Sequence, residues 1–300
     1  MAADRFFLPN LKKSLQMFSE HDQLYMHYKD NRTGYVMVIP NMDSVYGPMP
    51  FFLKFECGPK YPFEPPKCTY ISTDGATIHP NLYASGYICL SILGTWDKVS
   101  WVASMNIFHV AETIHHLLNE PYPIQCEPGF EGETGRRARE YNDFLQNLVV
   151  YKLAAMGYDV PIENKETRAY FQGCLQSFLE KDDHITRIKD IYKHKLDRVK
   201  ENPVRQVSMF CRRRGMPRDA NEDDLQRLGT KLDTLKSKGR TEKPQLPSRQ
   251  GSRFRAPRRG TRASNTTNKA EQNMGTGTMI GIFVIVLLLV LAIVLPGLLA

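Results

Sequence analysis

Apolar residues follow two different periods along the chain, and the change between them predicts an α+β domain. Four short runs rich in β-branched and aromatic residues occur between positions 23 and 72, separated by Asn, Gly, Asp and Pro. Such runs favour an antiparallel four-stranded meander. Before them, Leu11, Leu15 and Phe18 are spaced to lie on one side of a helix.

Two apolar stripes after position 101 predict further helices. Their members recur three or four residues apart, which places them on one helical face. The first stripe comprises Ile107, Val110, Ala111, Ile114, Leu117 and Leu118, and the second comprises Tyr141, Phe144, Leu145, Leu148, Val149 and Leu153. Residues 166–181 and 183–200 are also expected to be helical. One helix, four strands, an irregular Pro-rich centre and then helices indicate an α+β fold with segregated layers.

The positive charge is concentrated in one segment. The formal net charge is +8, but residues 231–270 hold twelve Lys or Arg and only two acidic residues, so the rest of the chain is nearly neutral. The segment is rich in Ser, Pro, Gly and Arg and poor in apolar residues, which predicts a disordered linker at 216–274. Beside a membrane, such a linker is attracted to anionic headgroups, and no nucleic-acid partner is expected.

An uncharged apolar run follows this linker. Residues 279–295 carry no charge, and roughly 20 apolar residues are needed to cross the hydrocarbon core of a bilayer. A buried core helix is the alternative, but such a helix is rarely apolar on every side. We therefore expect residues 275–300 to form a single-pass tail anchor. The basic residues on its N-terminal side favour a cytosolic N-terminal part, and the lack of basic residues after it favours the endoplasmic reticulum.

The cysteines indicate a reducing compartment and one candidate nucleophile. Six are spread thinly and none forms a Cys-x-x-Cys pair, so free thiols and no metal site are expected. Cys89 stands eight residues after Asn81 in HPNLYASGYICLSILGTW, residues 79–96. A thiolate can attack an acyl group and can leave from it, and a side-chain amide can donate to the oxyanion formed. These residues favour acyl carriage and leave proteolysis open.

Five motifs occur in the order and spacing typical of one enzyme family. They are YPFEPPK at 61–67, HPN at 79–81, the cysteine at 89, WVAS from 101, and EP at 120–121. Together they resemble the ubiquitin-conjugating enzymes, and CLSILGTW and NEPY resemble the extended, Z-type subgroup of that family. The resemblance implies the family's fold: an N-terminal helix, a four-stranded meander, an active-site loop and C-terminal helices. It also implies a catalytic core at 1–157 and a helical extension at 158–215.

The resemblance assigns roles to individual residues. Cys89 would carry ubiquitin or a ubiquitin-like modifier as a thioester, Asn81 would stabilise the oxyanion, and His79 would support the loop. An activating enzyme would dock on the first helix at Lys12 and Lys13, without a metal or organic cofactor in the chain. Ligases would dock on two loops, at Pro62, Phe63, Pro65, Trp101, Val102 and Ala103. The acidic residue of the family's groove is not identified by these motifs, although Glu127 is nearby.

Two other functions remain open from the sequence. A membrane-anchored, non-catalytic ubiquitin-binding adaptor would share the fold, although Cys89 argues against it because the family's inactive variants lack this cysteine. A cysteine protease would need a His and an Asn or Asp brought to Cys89 by the fold. It would hydrolyse an activated peptide instead of transferring an acyl group.

Overall fold

The elements follow the predicted order. The computed structural model describes residues 2–71, 77–96, 100–156, 158–181, 183–201 and 219–239. The strands are β1 Leu24–Tyr28, β2 Thr33–Val38, β3 Phe51–Glu56 and β4 Lys67–Ile71. The helices are α1 Ala2–Ser19, α2 Ile107–Leu118, α3 Arg136–Met156, α4 Lys165–Leu179, α5 His184–Glu201 and α6 Glu222–Gly239. Short 3₁₀ helices at Ser91–Leu93 and Pro123–Cys126 flank α2.

The four strands form an antiparallel meander in the order β1-β2-β3-β4, which confirms the predicted sheet. Helices cover both of its faces. Met26 on one face accepts a hydrogen bond from Ser14 of α1, and the ring of Phe52 on the other face lies 5.9 Å from that of Phe171 in α4. The expected segregated layers are therefore wrong. Buried residues of β2 and β3 occur on both sides of the sheet, and the extension supplies the second cover.

Helix α1 is longer and rotated relative to the sequence-based expectation. It begins at Ala2, well before the predicted segment. Leu11 and Phe18 are buried as predicted, but Leu15 is 42 % exposed, and fully buried Ser14 lies against the sheet instead. The buried stripe also includes Phe7, so the contact face runs through positions 7, 11, 14 and 18 and leaves Leu15 at its edge.

The first part of the expected disordered linker is a packed helix, so its boundary at 216 is corrected. Helix α6 begins with reciprocal caps, in which Asn221 and Asp224 each accept the other's backbone N–H. Leu228 and Leu232 are buried against the other C-terminal helices. The polar composition of the segment concealed this apolar spacing. Residues 240–274 and the expected span at 279–295 lie outside the described residues.

The helical extension is joined to the core, and the predicted membrane span is a separate question. Within the described residues, no helix combines the length and the apolarity that crossing a membrane requires. Helices α4 and α5 lie in the range where the sequence predicts a helical extension. An ion pair between Arg198 of α5 and Asp143 of α3, at 2.8 Å, joins this extension to the core.

A buried lysine makes a second link between the extension and the core. Lys195 of α5 is only 6 % exposed, and its Nζ donates to the carbonyl oxygens of Ser44 at 2.9 Å and Val45 at 2.7 Å. Both belong to the loop between β2 and β3. Burial lowers the pKa of Lys195 to about 7, with a further lowering by Arg198 and an opposing effect of Asp43. The amine therefore loses its proton more readily in the folded state than in the unfolded state.

This shift makes stability depend on pH with a defined sign. Between about pH 7 and pH 10.5 the unfolded chain holds a proton on Lys195 that the folded chain has lost, so the free energy of unfolding rises with pH. We expect the wild type to gain about 2 kcal/mol relative to Lys195→Met between pH 7 and pH 9. Urea unfolding at several pH values measures this difference. Lys193→Met on the exposed side of α5 is the control, and a pH-independent difference for Lys195→Met would contradict the assignment.

Candidate active site

The loop that carries the predicted site is docked on the outer strand of the sheet. The backbone N–H of Tyr70 in β4 donates to the carbonyl oxygen of Gly86 at 2.8 Å. Gly86 has a φ of 85°, and a Cβ at this position would lie 2.9 Å from the Tyr70 carbonyl oxygen. Glycine therefore suits both the conformation and the close approach. The contact gives a backbone partner to the edge of β4 and holds the loop in place.

His79 is a buried, neutral support beneath this loop. It is fully buried, with its ring 5.8 Å from the ring of Tyr46, and its Nδ1 accepts the backbone N–H of Asn81 at 3.0 Å. Because Nδ1 accepts, the ring proton of the neutral tautomer is on Nε2. Burial lowers the pKa of His79 to about 3, while the nearby Leu117 carbonyl opposes this effect. A neutral ring engaged with the backbone suits loop support and is unsuited to act as a base for Cys89.

Two hydrogen bonds join Asn81 to Cys89. The backbone N–H of Cys89 donates to the Asn81 carbonyl oxygen at 2.9 Å, and Nδ2 of Asn81 donates to the Cys89 carbonyl oxygen at 2.7 Å. The amide nitrogen has two protons, so one remains for another acceptor. The Oδ1 atom of Asn81 is buried and has no hydrogen-bond partner in the described part of the chain. The fold therefore brings together the two residues for which the sequence predicts chemistry.

Cys89 is at a cleft of about 320 Å³ that is also lined by Asn81, Ser91, Ile92 and Trp96. The residue is 5 % exposed, and its Sγ–H donates to the carbonyl oxygen of Thr95 at 3.4 Å. Burial raises the pKa of the Cys89 thiol; a hydrogen bond with Tyr83 opposes the rise, and the Glu127 carboxylate adds to it. The free protein therefore holds this sulfur mainly as a thiol at neutral pH.

Aromatic and acidic side chains surround the sulfur. The rings of Tyr83 and Tyr87 lie 5.7 Å apart, and both are partly exposed, as is Trp96. Glu127 follows the second 3₁₀ helix, and burial raises the pKa of its carboxyl group. The sequence motifs singled out neither tyrosine, and they left Glu127 as a neighbour of undefined role. The fold brings Tyr83 and Glu127 to Cys89, although they are six and 38 positions away along the chain.

This geometry can be compared with known proteins. Residues 10–147 match the family model described as "Ubiquitin-conjugating enzyme". The matched region contains the sheet, the buried histidine, Asn81, Cys89 and α2, so the region similar to ubiquitin-conjugating enzymes is also the region that forms the cleft. Its α+β architecture with a four-stranded antiparallel sheet is the one expected from the motifs.

Individual relatives agree with this match. The chain is 33 % identical over 133 residues to "Ubiquitin-conjugating enzyme E2 Z" of Xenopus tropicalis, covering 43 % of this chain and 40 % of that protein. It is 34 % identical over 119 residues to the Homo sapiens protein of the same name, covering 39 % and 33 %. For "Probable ubiquitin-conjugating enzyme protein 17" of Caenorhabditis elegans the identity is 32 % over 169 residues, covering 53 % and 22 %. The match thus spans less than half the length of each relative.

The loops to which the conjugating-enzyme resemblance assigns ligase docking combine buried and exposed residues. Trp101 is largely buried, and its Nε1–H donates to the carbonyl oxygen of buried Pro62 at 2.7 Å. Phe63 and Val102 are 51 % and 53 % exposed, Ala103 is exposed, and Pro65 is half-buried. The six residues therefore differ in exposure, and their docking role stays a prediction. Trp101 and Pro62 hold the two loops together, and the other four residues present the surface.

Helix α1 contributes to the same side of the domain. Phe6 is 50 % exposed, and its ring lies 5.5 Å from that of Phe63 in an edge-to-face arrangement. Sequence analysis missed Phe6 because it precedes the predicted helix. Lys12 and Lys13 are both exposed on α1, as a docking role requires. Within the described residues, no group of three or more His, Cys, Asp or Glu side chains is arranged to hold a metal ion.

Proposed function

We propose that this chain is a ubiquitin-conjugating enzyme that carries ubiquitin or a ubiquitin-like modifier as a thioester on Cys89. The observation that carries the proposal is the pair of hydrogen bonds between Asn81 and Cys89 at the edge of the cleft. An activating enzyme supplies the modifier, and a lysine of a substrate receives it with the help of a ligase. The family match and the E2 Z relatives support this reaction class.

The reaction has two acyl transfers. In the first, Sγ of Cys89 attacks the thioester carbonyl carbon on the activating enzyme, and that enzyme's cysteine leaves as a thiolate, which takes up the Cys89 proton. In the second, the neutral amine of a lysine attacks the new thioester, and Cys89 leaves as a thiolate. The second Nδ2–H of Asn81 donates to the oxyanion in this step. Glu127, whose pKa is raised by burial, accepts a proton from the attacking amine.

The structure favours transfer over the two alternatives. A protease needs a histidine base at the sulfur, whereas His79 is buried and its Nδ1 is engaged by the Asn81 backbone. A non-catalytic adaptor has no need of a cysteine in the cleft beside an amide donor. We therefore keep the conjugating enzyme as the proposed function and the adaptor as its alternative.

We further propose that residues 279–295 anchor the enzyme in the endoplasmic reticulum membrane with the catalytic domain in the cytosol. The proposal is based on the uncharged apolar composition of this run and the basic residues that precede it. An ATP-dependent activating enzyme works in the cytosol, so this orientation agrees with the proposed reaction.

The thioester assignment predicts different outcomes for two substitutions of the same residue. Cys89→Ser is expected to form an oxyester that resists reductant, because an alkoxide is a poorer leaving group than a thiolate. Cys89→Ala is expected to form no adduct. Non-reducing and reducing gels after incubation with activating enzyme, ATP and the candidate modifiers measure both. Cys126→Ala is the control and should charge normally; an adduct that persists in Cys89→Ala would refute the assignment.

The oxyanion assignment predicts a separation of charging from discharge. Asn81→Ala should accept the modifier nearly as fast as the wild type but release it to free lysine about 10²–10³ times more slowly, because one oxyanion donor is lost. Single-turnover charging and discharge assays measure the two rates. Equal slowing of both steps, together with a lower melting temperature, would identify Asn81 as a loop support only.

The membrane proposal predicts the topology of the full chain. Two acceptor sequences for N-glycosylation, at Asn31 and Asn265, would be in the lumen if the orientation were reversed. After synthesis in the presence of microsomes, we expect resistance to alkaline extraction, no glycan, and digestion of residues 1–270 by added protease. A variant lacking 279–295 should be extracted. A glycan on Asn265 or protection of the catalytic domain would disprove the orientation.

A further inference from the structure

A tight turn after Cys89 brings Thr95 back beside the segment that carries the cysteine. The 3₁₀ helix Ser91–Leu93 begins two residues after the cysteine, and Gly94 ends it in the left-handed region with a φ of 67°. The Gly94 N–H donates to the Ser91 carbonyl oxygen at 2.9 Å, which closes a tight turn. A residue with a Cβ adopts this conformation at a cost, so glycine permits the return. Thr95 then lies beside the strand-like segment at 88–90.

The hydroxyl group of Thr95 bonds to the peptide groups on both sides of Cys89. The backbone N–H of Leu90 donates to Oγ1 at 2.8 Å, and Oγ1 donates to the carbonyl oxygen of Ile88 at 2.7 Å. The Leu90 carbonyl oxygen is a second acceptor, at 3.1 Å. A hydroxyl can accept and donate at once, so one side chain fixes the main chain before and after the cysteine.

The backbone carbonyl of Thr95 contacts the reactive group itself. It accepts from Sγ of Cys89 at 3.4 Å and from the hydroxyl of Tyr87 at 3.0 Å. A hydrogen bond to this oxygen favours the protonated sulfur, since a thiolate has no proton to donate. The same residue therefore holds both the main chain of Cys89, through its side chain, and the direction of the thiol, through its carbonyl.

We propose that Thr95 is a positioning residue that fixes the direction of the Cys89 sulfur for acyl transfer. The proposal deepens the proposed function and rests on it. Asn81 bonds to the N–H and C=O of Cys89, and Thr95 bonds to the other ends of the same two peptide groups, the Ile88 carbonyl and the Leu90 N–H. Together they fix the main chain from which the sulfur projects.

The carbonyl group and the hydroxyl group of Thr95 act at different stages of the reaction. Acylation of Cys89 removes the S–H donor, so the bond to the Thr95 carbonyl is lost when the thioester forms. The hydroxyl bonds do not involve the sulfur and persist through charging and discharge. The hydroxyl thus keeps the thioester carbonyl beside the free N–H of Asn81 while the lysine attacks. A misplacement of about 1 Å in such a site can slow a reaction about 100-fold.

Thr95→Val tests the hydroxyl with almost no change of shape, and Thr95→Ser restores it. In the full chain we expect Thr95→Val to slow single-turnover charging and discharge about 10- to 100-fold, with an unchanged KM for the activating enzyme because α1 is not altered. Thr95→Ser should lie within about threefold of the wild type. Thr230→Val, which removes an exposed hydroxyl on α6, is the matched control. If valine is not accommodated, Thr95→Ala repeats the comparison, with melting temperatures recorded for every variant.

A second readout does not depend on the modifier. The rate of alkylation of Cys89 by iodoacetamide is measured against pH, in variants with the other cysteines unchanged and the site identified by peptide mass. Among the residues that the structure describes, Tyr83 and Glu127 are the titratable groups that act on the sulfur, and neither is altered. We expect Thr95→Val to lower the pH midpoint of alkylation, because a loosened segment weakens the bond from Sγ–H to the Thr95 carbonyl. Thr95→Ser should retain the wild-type midpoint.

The two readouts separate the inference from the proposed function. Faster alkylation together with slower charging in Thr95→Val, both reversed by serine, supports the positioning role. Three results would overturn it. They are a wild-type charging rate in Thr95→Val, a charging rate in Thr95→Ser as low as that of Thr95→Val, and an alkylation profile of Thr95→Val equal to that of the wild type. If the wild type forms no adduct with any modifier, the conjugating function is refuted, and the alkylation profiles alone decide whether Thr95 positions Cys89.

Discussion

The pair of hydrogen bonds between Asn81 and Cys89 is the contact on which the candidate site depends. It joins two segments that are eight residues apart and fixes both peptide groups of the cysteine. Buried His79 fixes the backbone of Asn81 in turn, because its ring accepts the Asn81 N–H. A charged imidazole would be costly in this apolar setting, so His79 stays neutral and its Nδ1 can accept the hydrogen bond that supports the loop.

The electrostatic setting of Cys89 suits the proposed exchange of acyl groups, because it keeps the sulfur protonated and slow to react with other electrophiles. Burial and Glu127 keep it protonated, while Tyr83 works in the opposite direction. A thiol with a raised pKa reacts slowly with small electrophiles. The proposed transfer would then depend on a partner that brings the acyl group into the cleft, as expected of a carrier between two other enzymes.

The extension is part of the same structure and not an appendage. Lys195 of α5 reaches the loop between β2 and β3. Tyr46 of the same loop has its ring 5.8 Å from the ring of His79. A path of direct contacts therefore runs from the extension to the support of the active-site loop. Among the described residues, the amine of Lys195 is hydrogen-bonded to two carbonyl groups and to no carboxylate. Its positive charge is therefore costly to bury.

The sequence by itself predicted the strands, α2 and α3, and it singled out Cys89 and Asn81 as candidates, because apolar periodicity and motif spacing are local properties. It could not determine which side chains surround the sulfur: Tyr83 and Thr95 look like ordinary loop residues until the chain folds back, and Glu127 comes from a different turn. The exposure of Leu15 and the packing of α6 were likewise decided by tertiary contacts. Burial is a property of the neighbours that the fold supplies, and local patterns do not contain it.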